Sequence, residues 1–192
     1  MSIKGGIIKS SDNSRQFKFL NNNTKLTKVD LSDLEWRNDS LSLEWAFSEC
    51  IHLEEIDVSG WKIKKLTNTN GSFNGCKALK NIDLSTWDVS QSTNIERLFD
   101  GCAELKTIDI AGWKLNSITR SDYAFRNCTS LTTIYADNTN TYNSSMLGKT
   151  IFVNNNSLVG GNGTAFDSSK GTALYARIDT DDTPGYFTLK NE

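Results

Sequence analysis

Phenylalanine returns every 26 residues along this chain, at Phe47, Phe73, Phe99 and Phe125, and its neighbourhood returns with it. Cys50, Cys76, Cys102 and Cys128 follow three residues later. Leu53, Leu79, Leu105 and Leu131 share the step, as do Ile56, Ile82, Ile108 and Ile134, and then Trp61, Trp87 and Trp113. One unit of this length cannot bury its own apolar face, so a fixed period of 20 to 50 residues means stacked coils. Degenerate copies flank the four good ones. Leu20, Asn23, Leu26, Val29, Asp30, Leu31 and Trp36 precede them, and Phe152, Asn155 and Leu158 follow. Atypical end units are expected of caps, whose outer faces meet water, and the count predicts six coils.

Within a unit, Ile82 and Leu84 flank Asp83, the alternation of a half-buried strand. Successive repeats run in one direction, so these strands are expected to stack in parallel, about 4.8 Å apart. On the return side, Thr93–Phe99 spaces its apolar residues by three and four, which predicts short helical turns. Gly75, Gly101 and Asn127 share one position and tolerate the left-handed conformation that ends a helix; Glu49 breaks that pattern. The expected class is therefore α/β: one domain over residues 1–192, with an N-terminal cap at 1–25, central repeats at 26–136 and a degenerate repeat with a loop-rich C-terminal cap at 137–192. In that cap, Ala173–Ile178 and Tyr186–Leu189 read as short strands able to pair, and Asn154–Asn156 and Gly160–Gly163 as turns.

The cysteines are too widely spaced for a zinc site, and the single histidine, His52, lies two residues past Cys50. Stacking would bring neighbouring thiols within disulfide range, but residues repeated in register usually build the core, so a ladder of buried reduced thiols is expected. The same reasoning places Trp61, Trp87 and Trp113 in the core ahead of a sugar-stacking role.

The run Phe99–Asp100–Gly101–Cys102–Ala103–Glu104–Leu105–Lys106–Thr107–Ile108–Asp109–Ile110–Ala111–Gly112–Trp113 resembles the BspA-like leucine-rich repeats of bacterial surface proteins. So does the tail Leu158–Asp167 followed by Pro184–Phe187. That resemblance covers about residues 20 to 188. It implies a right-handed leucine-rich-repeat solenoid and a role in adhesion to host matrix or to other cells, and it brings no catalytic residues.

Function classes follow from charge and repeat. Lys plus Arg total 21 against 23 Asp plus Glu, a net charge of −2, without the positive field that non-specific nucleic-acid binding needs. Apolar runs are far short of the ~20 residues that span a bilayer, so no membrane insertion is expected. Met1–Gly6 lacks a charged stretch leading into an apolar one, so no secretory signal is read in this chain. A nucleophile, a base and an orienting group cannot be assembled around His52, and carboxylates dispersed over a sheet face lack the cleft that shifts a pKa, so no enzyme and no cofactor is expected. What remains is a binding module. Its candidate contact residues are the outward strand positions, which differ between repeats: Glu55, Asp57, Asn81, Asp83, Thr107, Asp109, Thr133 and Tyr135, with Lys28 and Asp30 before them. The aspartates also recur faithfully enough to be turn-formers. Expected partners are a host matrix protein, a mucin or a bacterial surface glycan, met outside the cell or at its surface; a virion component such as a phage fibre is the alternative.

Overall fold

A computed structural model describes residues 2–4, 20–33, 40–61, 65–139 and 150–190. Among the described residues nine short strands follow one another: β1 (Ser2–Lys4), β2 (Lys28–Asp30), β3 (Leu41–Ser42), β4 (Glu55–Asp57), β5 (Leu66–Asn68), β6 (Asn81–Asp83), β7 (Thr107–Asp109), β8 (Thr133–Ala136) and β9 (Phe187–Leu189). All pairings between them are parallel, in the orders β1-β2-β4, β3-β5 and β6-β7-β8-β9. In register, Ile82 lies beside Ile108 and Ile108 beside Ile134. The chain is thus a parallel β-solenoid of about four turns with the 26-residue period.

The α/β assignment fails. Among the described residues the helical segments are three 3-10 turns: Leu115–Ser117, Ser168–Lys170 and Ala173–Tyr175. The expected return-side helices are absent because alternate amides leave the chain. Phe47, Phe73, Phe99 and Phe125 donate to Ser72, Leu98, Ala124 and Ile151 of the next coil at 2.8–3.1 Å, while Ser48, Asn74, Asp100 and Arg126 donate back three residues at 3.1–3.4 Å. An α-helix needs every amide to bond four residues back, so a corner that shares its donors with its neighbour cannot be one. Repeated turns space their apolar residues by three and four much as a helix does, which is why periodicity misread them.

Two ladders of left-handed residues build this corner. Glu49 (φ 58), Gly75 (73), Gly101 (81) and Asn127 (60) form the expected one, and Glu49 joins it in spite of its side chain. Trp45 (58), Gly71 (61), Arg97 (53) and Tyr123 (63) form a second. A side chain in this conformation costs roughly 1–2 kcal/mol, so the corner's hydrogen bonds hold strained backbone.

Inside, one core runs the length of the solenoid. Phe47, Phe73, Phe99, Phe125 and Phe152 stack ring on ring at 5.3–5.9 Å. Trp61 and Trp87 stack at 5.9 Å, and the buried Trp113 donates from Nε1 to the Leu84 carbonyl at 2.8 Å. The four thiols are free and fully buried. Each donates to a carbonyl of the preceding coil, Cys50 to Leu20 at 3.0 Å and Cys76 to Phe47, Cys102 to Phe73 and Cys128 to Phe99 at 3.1 Å. Burial pushes all four thiols above the ordinary range. Trp36 lies outside the described residues.

The six-coil expectation gives way at the C-terminal end. Phe152 continues the ring stack, and Asn155 takes the cysteine position, accepting from the Cys128 amide at 3.2 Å. The strand beside β8, however, is β9, reached only after a detour. Of the two expected cap strands, Phe187–Leu189 forms and Ala173–Tyr175 is a 3-10 turn, although the segments still meet through Phe187 N to Arg177 O at 3.0 Å. Asp179, nearly buried, ties the detour together by accepting from Asn162 N, Thr164 N, Thr164 Oγ1 and Gly185 N at 2.6–3.1 Å.

Candidate functional site

Each strand of the 26-residue period buries its central residue and turns its two flanking residues outward. The structure brings the expected contact residues into one strip: Glu55, Asp57, Asn81, Asp83 and Tyr135 are exposed, and Thr107, Asp109 and Thr133 half-buried. Register places Asn81 beside Thr107 and Thr107 beside Thr133, and likewise Asp83 beside Asp109 and Asp109 beside Tyr135.

The aspartates have a local task. Asp57 and Asp83 each accept through Oδ1 from the amide and hydroxyl of the serine two residues on, Ser59 and Ser85, at 2.6–2.9 Å. Asp109 accepts from the Ala111 amide at 3.0 Å. These are Asx turns, in which a short carboxylate replaces a backbone acceptor and steers the chain out of the strand. Their repetition therefore has a structural cause. The strip also carries its own counter-charges: Lys28 pairs with Glu55 and Lys190 with Asp109. Hydrogen bonding and attraction to these carboxylates hold both ammonium groups above their ordinary range.

The strip is interrupted. β4 pairs with β2, and β6 with β7, but β4 and β6 share no ladder. Leu31, Leu84 and Ile110 donate to Asp57, Asp109 and Tyr135 carbonyls at 2.8–2.9 Å, whereas no such bond joins Val58 to Asp83. At this parting Ile56 and Ile82 keep 9% and 5% of their surface, against 0% for Ile108 and Ile134. A shallow groove of about 260 Å³ runs from Ile56 across β6 and β7 to Tyr135 on β8, lined by Ile56, Asn81, Ile82, Asp83, Thr107, Asp109 and Tyr135. Five of the eight expected residues line it; Glu55, Asp57 and Thr133 do not. Its aliphatic floor and the bridging Lys190 escaped sequence reasoning. Ile56 and Ile82 carry the same repeat signature as Ile108, and Lys190 lies outside the period, so neither left a signal.

A second cluster occupies the corner. Asp100, almost wholly buried, accepts from Arg126 Nε at 2.8 Å and from Arg97 Nη1 and Asn127 Nδ2 at 3.4 Å. Both guanidinium groups lie over Tyr123, 4.9 and 4.3 Å from the ring centre. One carboxylate thus gathers two guanidinium groups, both resting on the same ring, and the cluster locks two coils together.

Among the described residues, no group of three or more His, Cys, Asp or Glu side chains is placed to hold a metal ion, and no helix is long and apolar enough to cross a membrane. Residues 41–158, more than half of the chain, match the family model described as DUF285, Mycoplasma protein of unknown function. No curated protein and no solved structure matches.

Proposed function

This chain belongs to the DUF285 family, whose description assigns no role, and we propose that it is a non-enzymatic recognition module of the bacterial cell surface, binding a protein or glycan through its strand face. The single observation that carries this reading is the groove that runs from Ile56 on β4 across β6 and β7 to Tyr135 on β8. It is the place where an otherwise repetitive strip offers apolar floor, hydrogen-bonding groups and an aromatic ring together. Such a mixture suits selective contact, with apolar area supplying affinity and fixed polar groups supplying orientation. The repeats are further proposed to be kin to the BspA-like leucine-rich repeats, on the strength of the Phe, Cys, Leu, Ile and Trp positions already described. Partners are proposed to be host matrix proteins, mucins or envelope glycans. Reactive chemistry is a poor fit, because the Asp109 carboxylate is spoken for by Lys190 and both Asp57 and Asp83 by their turns.

Labelled protein applied to immobilised matrix proteins, mucins and bacterial envelopes is the direct test. Saturable binding to one panel, weakened by substitutions in the groove, is the expected result. Absence of saturable binding to every panel defeats the reading. Binding confined to bacterial envelopes favours a virion or cell-to-cell role over host adhesion.

A further inference from the structure

The groove's hydrogen-bonding groups are set in a definite pattern. Across the β6–β7 pairing, Thr107 donates from Oγ1 to Asn81 Oδ1 at 2.8 Å. That bond orients the Asn81 amide: its oxygen is engaged, and its Nδ2, which carries two donors, bonds to nothing among the described residues. The Tyr135 hydroxyl, able both to donate and to accept, also has no partner among them, and the residue is 36% exposed. Asp83 gives Oδ1 to the turn at Ser85 and keeps Oδ2 as an acceptor. Asp109 gives one oxygen to Ala111 and the other to Lys190, whose ammonium also acts on Asp83. Donors and acceptors therefore stand side by side within the two interstrand steps from β6 to β8, about 10 Å. Ile56 and Ile82 supply an aliphatic surface at one end and the Tyr135 ring an aromatic one at the other.

From this pattern we infer that the groove binds an uncharged glycan, with a pyranose ring against its apolar surfaces and hydroxyls bonded to Asn81, Asp83 and Tyr135. A sugar hydroxyl both donates and accepts, so it suits a surface that offers Asn81 Nδ2 beside Asp83 Oδ2. An ion of either sign fits it badly. A carboxylate or sulfate only accepts and meets Asp83, while an ammonium or guanidinium only donates and meets Asn81 Nδ2 and Lys190. The C–H face of a pyranose is apolar and packs on aliphatic side chains and on an aromatic ring. At about 260 Å³ the groove lies just below the ~300–1,000 Å³ of sites that enclose a small molecule, which suits a ring held on a surface while the rest of its chain extends into solvent. The groove also crosses the strands. Both edges of β7 are already paired, so an extended peptide laid there finds no backbone to continue a sheet with. The inference rests on the strand face being the recognition surface, and it names the ligand class that this surface takes.

The test applies the labelled whole chain to a printed array of neutral oligosaccharides, their sialylated and sulfated forms, and chitosan oligomers with free amines, at physiological salt. Saturable binding to neutral members, stronger than to their charged counterparts, is the expected result, and the best neutral ligand is then titrated against variants. Asn81→Asp keeps an acceptor for Thr107 and removes the two free donors; it is expected to weaken binding about two- to tenfold, the worth of one hydrogen bond. Tyr135→Ala removes both the ring and its hydroxyl and is expected to cost at least about fivefold. Glu104→Gln, which removes an exposed charge outside the groove, is expected to leave affinity unchanged, and all three variants to keep the parent's circular dichroism. No saturable binding to any neutral glycan, charged forms bound as well as neutral ones, or a neutral glycan indifferent to either groove substitution each overturns the inference. Matrix-protein binding that falls with Tyr135→Ala while every glycan is ignored overturns it and spares the recognition reading.

Discussion

The corner and the strand face are built from the same repeat, yet only the corner is unbroken. From Asn22 to Asn127 each coil's corner amides reach the next coil, up to Val153, without a missing step. The strand face, with its regular alternation and paired isoleucines, parts between β4 and β6. Strained backbone and mismatched side chains, Trp45 above Gly71 and Arg97 beside Tyr123, thus coexist with the continuous ladder, and relaxed extended backbone with the interrupted one. Hydrogen-bond continuity here follows from which groups face each other across coils; local conformational ease does not decide it. At the corner the stacked rings and the Asp100 cluster draw coils together, whereas on the strand face β4 and β6 share no ladder.

If that contrast is right, the corner stack should be the costliest place to cut. Phe99→Ala, which removes a fully buried ring between Phe73 and Phe125, is expected to destabilise the protein by about 3–5 kcal/mol in urea unfolding. A loss under 1 kcal/mol would mean that the rings are not what holds the coils. The same denatured state should make the thiols reactive, and a thiol reagent is expected to find the buried Cys76, Cys102 and Cys128 only as the chain unfolds.

The cap offers a smaller effect with a pH signature. Burial alone would raise the Asp179 carboxyl, but hydrogen bonds from Thr164, Gly185 and Asn162 outweigh it and hold the group below its ordinary value. A depressed folded pKa adds stability that is present above about pH 3.9 and is lost as pH falls through the folded value. Asp179→Ala is expected to cost about 1.5–3 kcal/mol near neutrality and to flatten the acid limb of the stability curve below about pH 4. An unchanged acid limb would place the proton uptake elsewhere.

Strain at the corner can be relieved without touching a contact in the core. Glu49→Gly is expected to stabilise by about 1 kcal/mol, because glycine takes the left-handed conformation freely, whereas Gly75→Ala at φ 73 should do the reverse. The smallest effect is the most direct view of the parting: in hydrogen exchange, the Val58 amide is expected to lose protection before Leu84 and Ile110, which bond across to the next strand at 2.9 Å. Equal protection would close the gap between β4 and β6.

What could be read in the residues alone was whatever repeats with its chemistry. Phe99, Cys102, Leu105 and Ile108 announce both the period and the core, and the isoleucine–aspartate alternation announces the strand. Gly75, Gly101 and Asn127 disclosed one left-handed ladder because they share a permissive backbone. The ladder of Trp45, Gly71, Arg97 and Tyr123 was invisible because those residues share nothing but position. Helical turns were expected at Thr93–Phe99 because spacing records which side chains face inward and is silent on where amides bond. The outward strip was legible as a strip. The groove was not, since Ile56 and Ile82 carry the same repeat signature as Ile108, and Lys190, which pairs with Asp109, arrives from the far end of the chain.

The direction of the corner bonds gives the molecule a grain. Every corner amide from Trp45 to Asn127 that crosses between coils points toward the C-terminal end, while on the opposite corner Glu54, Lys80, Lys106 and Thr132 point their amides back toward Thr27, Glu54, Lys80 and Lys106. Each edge is therefore a column of aligned peptide dipoles of the kind that polarises a helix, and the two columns run antiparallel, so their fields cancel at a distance. At either end, carbonyls at one corner sit across from amides at the other. Any coil added there must enter in the same sense as the rest, which is a rule of assembly written in the backbone and indifferent to side chains.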